Sequence, residues 1–465
     1  MESQNNTQLA NDSHQGNNYT SALITLTSLF FMWGFMTVMN DVLIPHLKNI
    51  FDLDFFQSML VQTSFFGAYF IGSLLYYIIS SRSGDPINKI GYKNGIIIGL
   101  VISAIGSAMF YPATIINAYG VYLLALFILG LGFTVLQIAA NPYVAILGDP
   151  KTASSRLNLA QGFNSLGTTL GPLIGGALIF KYFAGTEAVK IPYLVLAGLL
   201  ILLAVLIKGA KLPEFANEEK IEKGKGALKF PHLVLGMVAI FMYVGGEVAV
   251  GSILINFFGL ENIAGMDENT ASSYLSLYWG GLMIGRFSGA IYLSDITDQK
   301  KKFGYMVIAA LTAFFIIYIS NSIKTDMSLT TVLPLLVFVA IAFILFLIGK
   351  SIPSKTLYYF ASVVIVLLLV TTFGDGKIAF WAVIGIGLFN SIMWSNIFTL
   401  AIDGLGKYTS QGSSLLVMAI LGGAIIPPLQ GKFADILGVQ LSFLVPILCY
   451  IYIFYYGLVG YKKGK

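Results

Sequence analysis

The sequence predicts an all-α polytopic membrane protein with fourteen spans, built as two six-helix halves with a two-helix hairpin inserted in the second. Three observations predict it. Apolar residues fill 57 % of the 465 positions and only 11 % are charged, against roughly 45–50 % and about 25 % in soluble domains. The apolar residues fall into blocks of about 20, the length that crosses a hydrocarbon core as a helix. Lysine and arginine collect in alternate gaps between the blocks, the asymmetry that orients spans in a membrane.

Residues 1–20 are rich in Asn, Gln and Ser and hold no lysine or arginine. Lacking the basic start of a cleavable signal peptide, they read as a disordered cytoplasmic tail, and the first span serves as its own insertion signal. The N-terminal half, 21–207, carries spans at 22–45, 57–79, 93–114, 119–147, 157–183 and 191–207. A cytoplasmic linker, 208–231, holds six lysines. The C-terminal half, 232–461, carries spans at 232–258, 271–294, 303–321, 329–349, 355–373, 376–403, 410–432 and 439–461, and a cytoplasmic tail, 462–465, follows. Gaps after even-numbered spans, with the C-terminus, collect 20 of the 27 basic residues; the opposite side holds six and Arg286 lies within a span. Both termini and the linker are therefore expected on the cytoplasmic side. The net charge of +5 follows from this orientation and does not call for nucleic acid.

An internal repeat supports the two halves. An offset of 255 takes Gly130 to Gly385, Gly132 to Gly387, Asn141 to Asn396, Gly167 to Gly422, Pro172 to Pro427 and Gly176 to Gly431. Earlier in the chain an offset of 213 takes Gly67 to Gly280, Gly72 to Gly285 and Asp85 to Asp298. The offsets differ by 42, two helices and a tight turn, which places the inserted hairpin near 303–349. If two blocks of the second half are overcounted, the spans number twelve.

Chemistry of the enzymatic kind has no foothold in the sequence. There is no GxSxG, no HExxH and no phosphate-cradling loop, so the chain is expected to be neither an enzyme nor a user of ATP. The single cysteine, Cys449, lies within the last span, and His14, His46 and His232 lie in tails or at loop edges, so no metal or other cofactor is expected.

Two carboxylates stand within spans, where charge costs roughly 2.5–3.5 kcal/mol and usually marks a cavity or an ion path. Asp41 lies in MNDVLIPHLK, where Pro45, His46 and Lys48 also allow a wetted helix end; Glu247 lies in MYVGGEVAVG, where Arg286 could be its partner. Amides form a second group: Gln137 and Asn141 in span four, and Asn158, Gln161 and Asn164 in span five. Pairs three or four apart share a helical face, and amides donate and accept at once, as sugar hydroxyls require; bonds between packed helices are the plainer use. Trp279 and Trp394 offer aromatic platforms, with Asn390 and Asn396 close to Trp394. Charges at 82–93, with Asp85, and at 286–302, with Asp295 and Asp298, look like latches at corresponding cytoplasmic turns.

Four stretches resemble the major facilitator superfamily, in the branch of the fucose/proton symporter and the bacterial glucose/galactose transporters. They are FFMWGFMTVMNDVLIPHLK; GLGFTVLQIAANPYVAILG with RLNLAQGFNSLGTTLGPLIGG; YLSLYWGGLMIGRFSG; and NSIMWSNIFTLAI with GSSLLVMAILGGAIIPPLQG. The resemblance implies a major facilitator fold whose two halves rock around a midplane site. It makes Asp41 the proton-linked carboxylate and Gln161 and Asn164 sugar contacts, with Asn40 beside Asp41 among the substrate-binding candidates. Where the fucose symporter carries a second carboxylate in its fourth helix, this chain has Gln137, and Glu247 in the seventh helix matches the glucose/galactose members instead.

The expectation is a monomeric, multi-pass importer in a bacterial cytoplasmic (inner) membrane, with a small-molecule sugar and the bilayer as partners. It carries a hexose such as glucose or galactose with a proton or Na+, or else fucose or an amino sugar. Asp41 and Glu247 bind the ion, while Asn40, Gln137, Asn141, Gln161, Asn164, Trp279, Asn390 and Trp394 line the sugar site. A drug exporter is disfavoured by the amide cluster. A non-transporting sugar sensor is the reading from another class, and the short tails leave no space for its signalling domain.

Overall fold

The computed structural model describes residues 20–83, 86–147, 153–182, 185, 187–213, 226–292, 294, 296–325, 327–350, 352–405 and 409–462. The expected tail, apart from Thr20, lies outside the described residues, as do the middle of the linker, the end of the C-terminal tail and the latch candidates Asp85 and Asp295. Among the described residues there is no strand.

Among the described residues six long helices make the N-terminal group: α1 Thr20–Phe51, α2 Phe55–Ser83, α3 Tyr92–Ile116, α4 Tyr119–Ile146, α5 Ala153–Ala177 and α6 Glu187–Gly209. A π-helical turn, Leu178–Tyr182, extends α5. Eight make the C-terminal group: α7 Pro231–Phe258, α8 Glu268–Tyr292, α9 Gln299–Thr325, α10 Leu329–Gly349, α11 Pro353–Phe373, α12 Gly376–Ile402, α13 Thr409–Leu437 and α14 Leu441–Gly460. The fourteen predicted spans are thus all helical, and twelve is too few. Thirteen are apolar enough by composition alone to cross a membrane. The exception, α8, buries Ser272, Ser273 and Ser276 against other helices, so it needs less lipid-facing surface.

Helix ends differ most from expectation. α1 runs through Pro45 to Phe51, because neighbouring helices can satisfy the backbone groups a proline frees. α8 begins at an aspartate cap: Asp267 Oδ1 accepts the Thr270 amide at 3.0 Å and Oδ2 accepts its hydroxyl at 2.6 Å. Those Thr270 bonds hold the Asp267 carboxyl below its ordinary range.

The same pairings recur in both groups. α1 packs on α5 as α7 packs on α13, α2 on α4 as α8 on α12, and α3 on α4 and α6 as α11 on α12 and α14. Gly167 and Gly422, linked by the 255 offset, do the same work. A Cβ on Gly167 would strike the Phe31 carbonyl of α1, and one on Gly422 the Phe241 carbonyl of α7, so only hydrogen lets these backbones meet. The two groups join mainly through α2 with α13 and α5 with α8, with α1 also touching α7. α9 and α10 lie at the periphery: 28 % and 33 % of their most apolar stretches are buried, against 78 % for α12. α9 packs on α8 and touches α5; α10 packs on α11 and α12.

Candidate functional site

A cavity of about 310 Å³ lies between the two groups of helices, at the small end of the range for small-molecule sites. Helical periodicity explains its walls. Trp33, Thr37 and Asp41 recur every four residues on one face of α1, and Gln62, Phe66 and Tyr69 share a face of α2. Gln137 and Asn141 come from α4, and Asn158, Gln161 and Asn164 from α5. Across the cavity stand Tyr243 and Glu247 of α7, Trp279 and Arg286 of α8, and Trp394 and Phe398 of α12.

Asp41 is buried ten residues before the end of α1, away from the helix end where water could reach it. Its carboxylate accepts three bonds: from Gln62 Nε2 at 2.9 Å and Ser252 Oγ at 3.1 Å on Oδ1, and from Trp279 Nε1 at 3.1 Å on Oδ2. Gln62 Nε2 also donates to Ser252 Oγ at 2.8 Å, and Asn40 Nδ2 donates to Gln62 Oε1 at 3.3 Å. The buried Asn40 Oδ1 has no partner in the structure.

Glu247 Oε1 accepts from the Tyr243 hydroxyl at 2.6 Å, and that hydroxyl also lies 3.0 Å from the Asn390 carbonyl. Arg286, the partner considered for Glu247, donates from Nη1 to Ser165 Oγ of α5 at 2.8 Å and so ties the two groups together.

With Gln62, six amides line the N-terminal wall. Gln137 reaches the Tyr69 hydroxyl, which also accepts from Trp33 Nε1 at 3.1 Å. Asn164 Nδ2 donates to the Phe30 carbonyl of α1 at 3.1 Å. Asn141 lines the cavity, with its Oδ1 buried and without a partner. Trp394 stacks on Phe398 with ring centres 5.0 Å apart and planes at 17°.

The structure places Asn40 and Asn390 behind the wall, not on it. Asn390 spends its amide within the C-terminal group, donating to Tyr278 Oη at 3.1 Å and accepting from Tyr450 Oη at 2.8 Å. Sequence reasoning missed Trp33, Gln62, Tyr69, Tyr243 and Ser252. Gln62 could have been found as an amide within the second span; the serine and tyrosines carry no such signal.

One end of the cavity is tied shut. Asp435 of α13 accepts from the Phe55 and Phe56 amides at the start of α2, at 2.8 and 3.1 Å, and Asn49 Nδ2 of α1 donates to Glu268 Oε1 of α8 at 2.7 Å. At the other end α4 and α12 both line the cavity without packing on one another among the described residues. Residues 24–351 match the family described as Major Facilitator Superfamily.

The chain belongs to the major facilitator superfamily. Among this superfamily, it is 44 % identical over 467 residues to the glucose/galactose transporter of Brucella abortus biovar 1 (strain 9-941), covering 98 % of each chain. It is 29 % identical over 473 residues to the L-fucose-proton symporter of Escherichia coli (strain K12), covering 95 % of this chain and 94 % of that one. The crystal structure of the superfamily transporter FucP in the outward conformation matches with a TM-score of 0.65 at 29 % identity, over 94 % of this chain and 98 % of that chain. The major facilitator fold is thus the fold of this multi-pass membrane protein.

Proposed function

We propose that this protein imports a hexose, glucose or galactose, by cation-coupled symport. The observation that carries the reading is the amide wall of Gln137, Asn141, Gln161 and Asn164 facing one cavity with Asp41. The amides of this wall suit sugar hydroxyls, which need donors and acceptors at once, and Trp394 offers a ring face to the apolar side of a sugar. Full-length likeness to a glucose/galactose transporter supports the hexose, and the lower identity to a fucose symporter makes fucose the second substrate to test.

The halves are 21–207 and 232–461, with α9 and α10 as the inserted hairpin. The recurring helix pairings support this, since α3 and α11 make equivalent contacts while α9 and α10 have no counterpart in the first group. With both termini in the cytoplasm, as the lysines direct, the tied end faces outward and this conformation opens inward. The setting is a bacterial inner membrane, and one chain suffices for the site.

Asp41, with Glu247, binds the coupling cation. An ionised carboxylate with no cation opposes passage through the occluded, low-dielectric state between the two open forms, so sugar and cation together lower the barrier to the switch. The proton is the favoured cation, on the likeness to a proton symporter, and Na+ the one to test against it. The test is uptake of labelled glucose, galactose and fucose into proteoliposomes under an imposed proton or Na+ gradient. Wild type should accumulate hexose and Asp41→Asn should only equilibrate it; accumulation by Asp41→Asn would sink the assignment.

A further inference from the structure

We propose that Trp279 and Ser252 expel the coupling cation from Asp41 whenever the outer end closes; the inference rests on the reading of Asp41 as the cation-binding carboxylate. Asp41 belongs to α1, and of its three donors only Gln62 belongs to the same half. Ser252 of α7 and Trp279 of α8 come from the opposite half.

The direction of each bond is fixed by chemistry. An indole N–H is a donor only, so Trp279 Nε1, 3.1 Å from Asp41 Oδ2, can do nothing there but aim its hydrogen at the carboxylate. Ser252 Oγ already accepts from Gln62 Nε2 at 2.8 Å, which turns its own proton toward Asp41 Oδ1 at 3.1 Å. The chain also makes space for this approach. A Cβ on Gly251 would lie 2.9 Å from Trp279 Cζ2 and 3.4 Å from Asp41 Oδ2, so a side chain there would wedge the indole off the carboxylate.

Hydrogens on these lone pairs compete with a proton or a sodium ion for the same oxygens, whichever cation is used. Two of the three competitors ride on the other half and withdraw when the outer end opens. Asp41 therefore holds its cation facing outward and loses it facing inward, the order that an importer requires. Trp279 becomes a positioning residue acting on the cation, and its N–H is not available to a sugar.

The experiment compares net, gradient-driven hexose uptake with hexose counterflow in proteoliposomes, because only net uptake requires the cation to leave on every cycle. Trp279→Phe keeps a ring and removes the donor. The ratio of net uptake to counterflow should fall about tenfold, the scale of one hydrogen bond to a charged group. Trp279→His, which restores a ring N–H, should recover part of the ratio, and Ser252→Ala should lower it in the same direction. Equal loss of both activities in Trp279→Phe, or an unchanged ratio in both Trp279→Phe and Ser252→Ala, overturns the proposal. If Trp279→Phe does not fold, Ser252→Ala alone decides. Accumulation by Asp41→Asn would instead remove the cation assignment beneath it, whereas loss of accumulation there with an unchanged Trp279→Phe ratio removes only this inference.

Discussion

Asp435 Oδ1 accepts the Phe55 backbone amide at 2.8 Å, so a carboxylate on α13 caps the start of α2 in the opposite group of helices. A capping carboxylate is worth about 1 kcal/mol, aided by the helix dipole. Asp435→Ala should therefore shift the conformational equilibrium roughly fivefold toward an open outer end. Cys449 is the native cysteine and can be replaced by alanine, leaving Thr37→Cys on the cavity wall as a reporter. An impermeant maleimide added outside should label that reporter faster in the Asp435→Ala background; an equal rate would show that the cap does not hold this end.

Asn141→Ala removes an amide whose oxygen has no protein partner, so the empty protein should lose little stability. Hexose affinity should weaken by roughly tenfold, as expected for one lost hydrogen bond of about 1–1.5 kcal/mol. Isothermal titration beside a melting curve separates the two effects. A large fall in melting temperature with unchanged affinity would make Asn141 a packing residue.

Gly422→Ala places a methyl against the Phe241 carbonyl, and Gly167→Ala does the same at Phe31. Both should destabilise the detergent-solubilised protein by at least the roughly 1–3 kcal/mol of an overpacked core. Gly198→Ala is the control, since nothing lies within 4 Å of its added carbon. Thermal unfolding of the three variants checks the order, and a Gly422→Ala variant as stable as Gly198→Ala would contradict the packing.

The fold was readable because lipid imposes a length on every span, and the blocks of the sequence obey it. The end of α1 was not, since Pro45 stops a helix in water far more firmly than among packed helices. The amides of α4 and α5 were readable from their spacing alone. Asn40 failed because one residue along a helix turns a side chain about 100°, so the neighbour of Asp41 points at Gln62 and not into the cavity. The bond from Trp279 to Asp41 joins positions 238 residues apart, and no local pattern encodes such a meeting.

The peripheral pair α9 and α10 sits on one flank only, and α9 touches α5 across the seam as well as α8. Viewed from the bilayer the internal twofold likeness disappears, and the protein is lopsided. A rotation of one half against the other sweeps these two helices through lipid on that flank alone. In the rocking cycle proposed above, bilayer viscosity is therefore expected to act as a drag on that side of the protein.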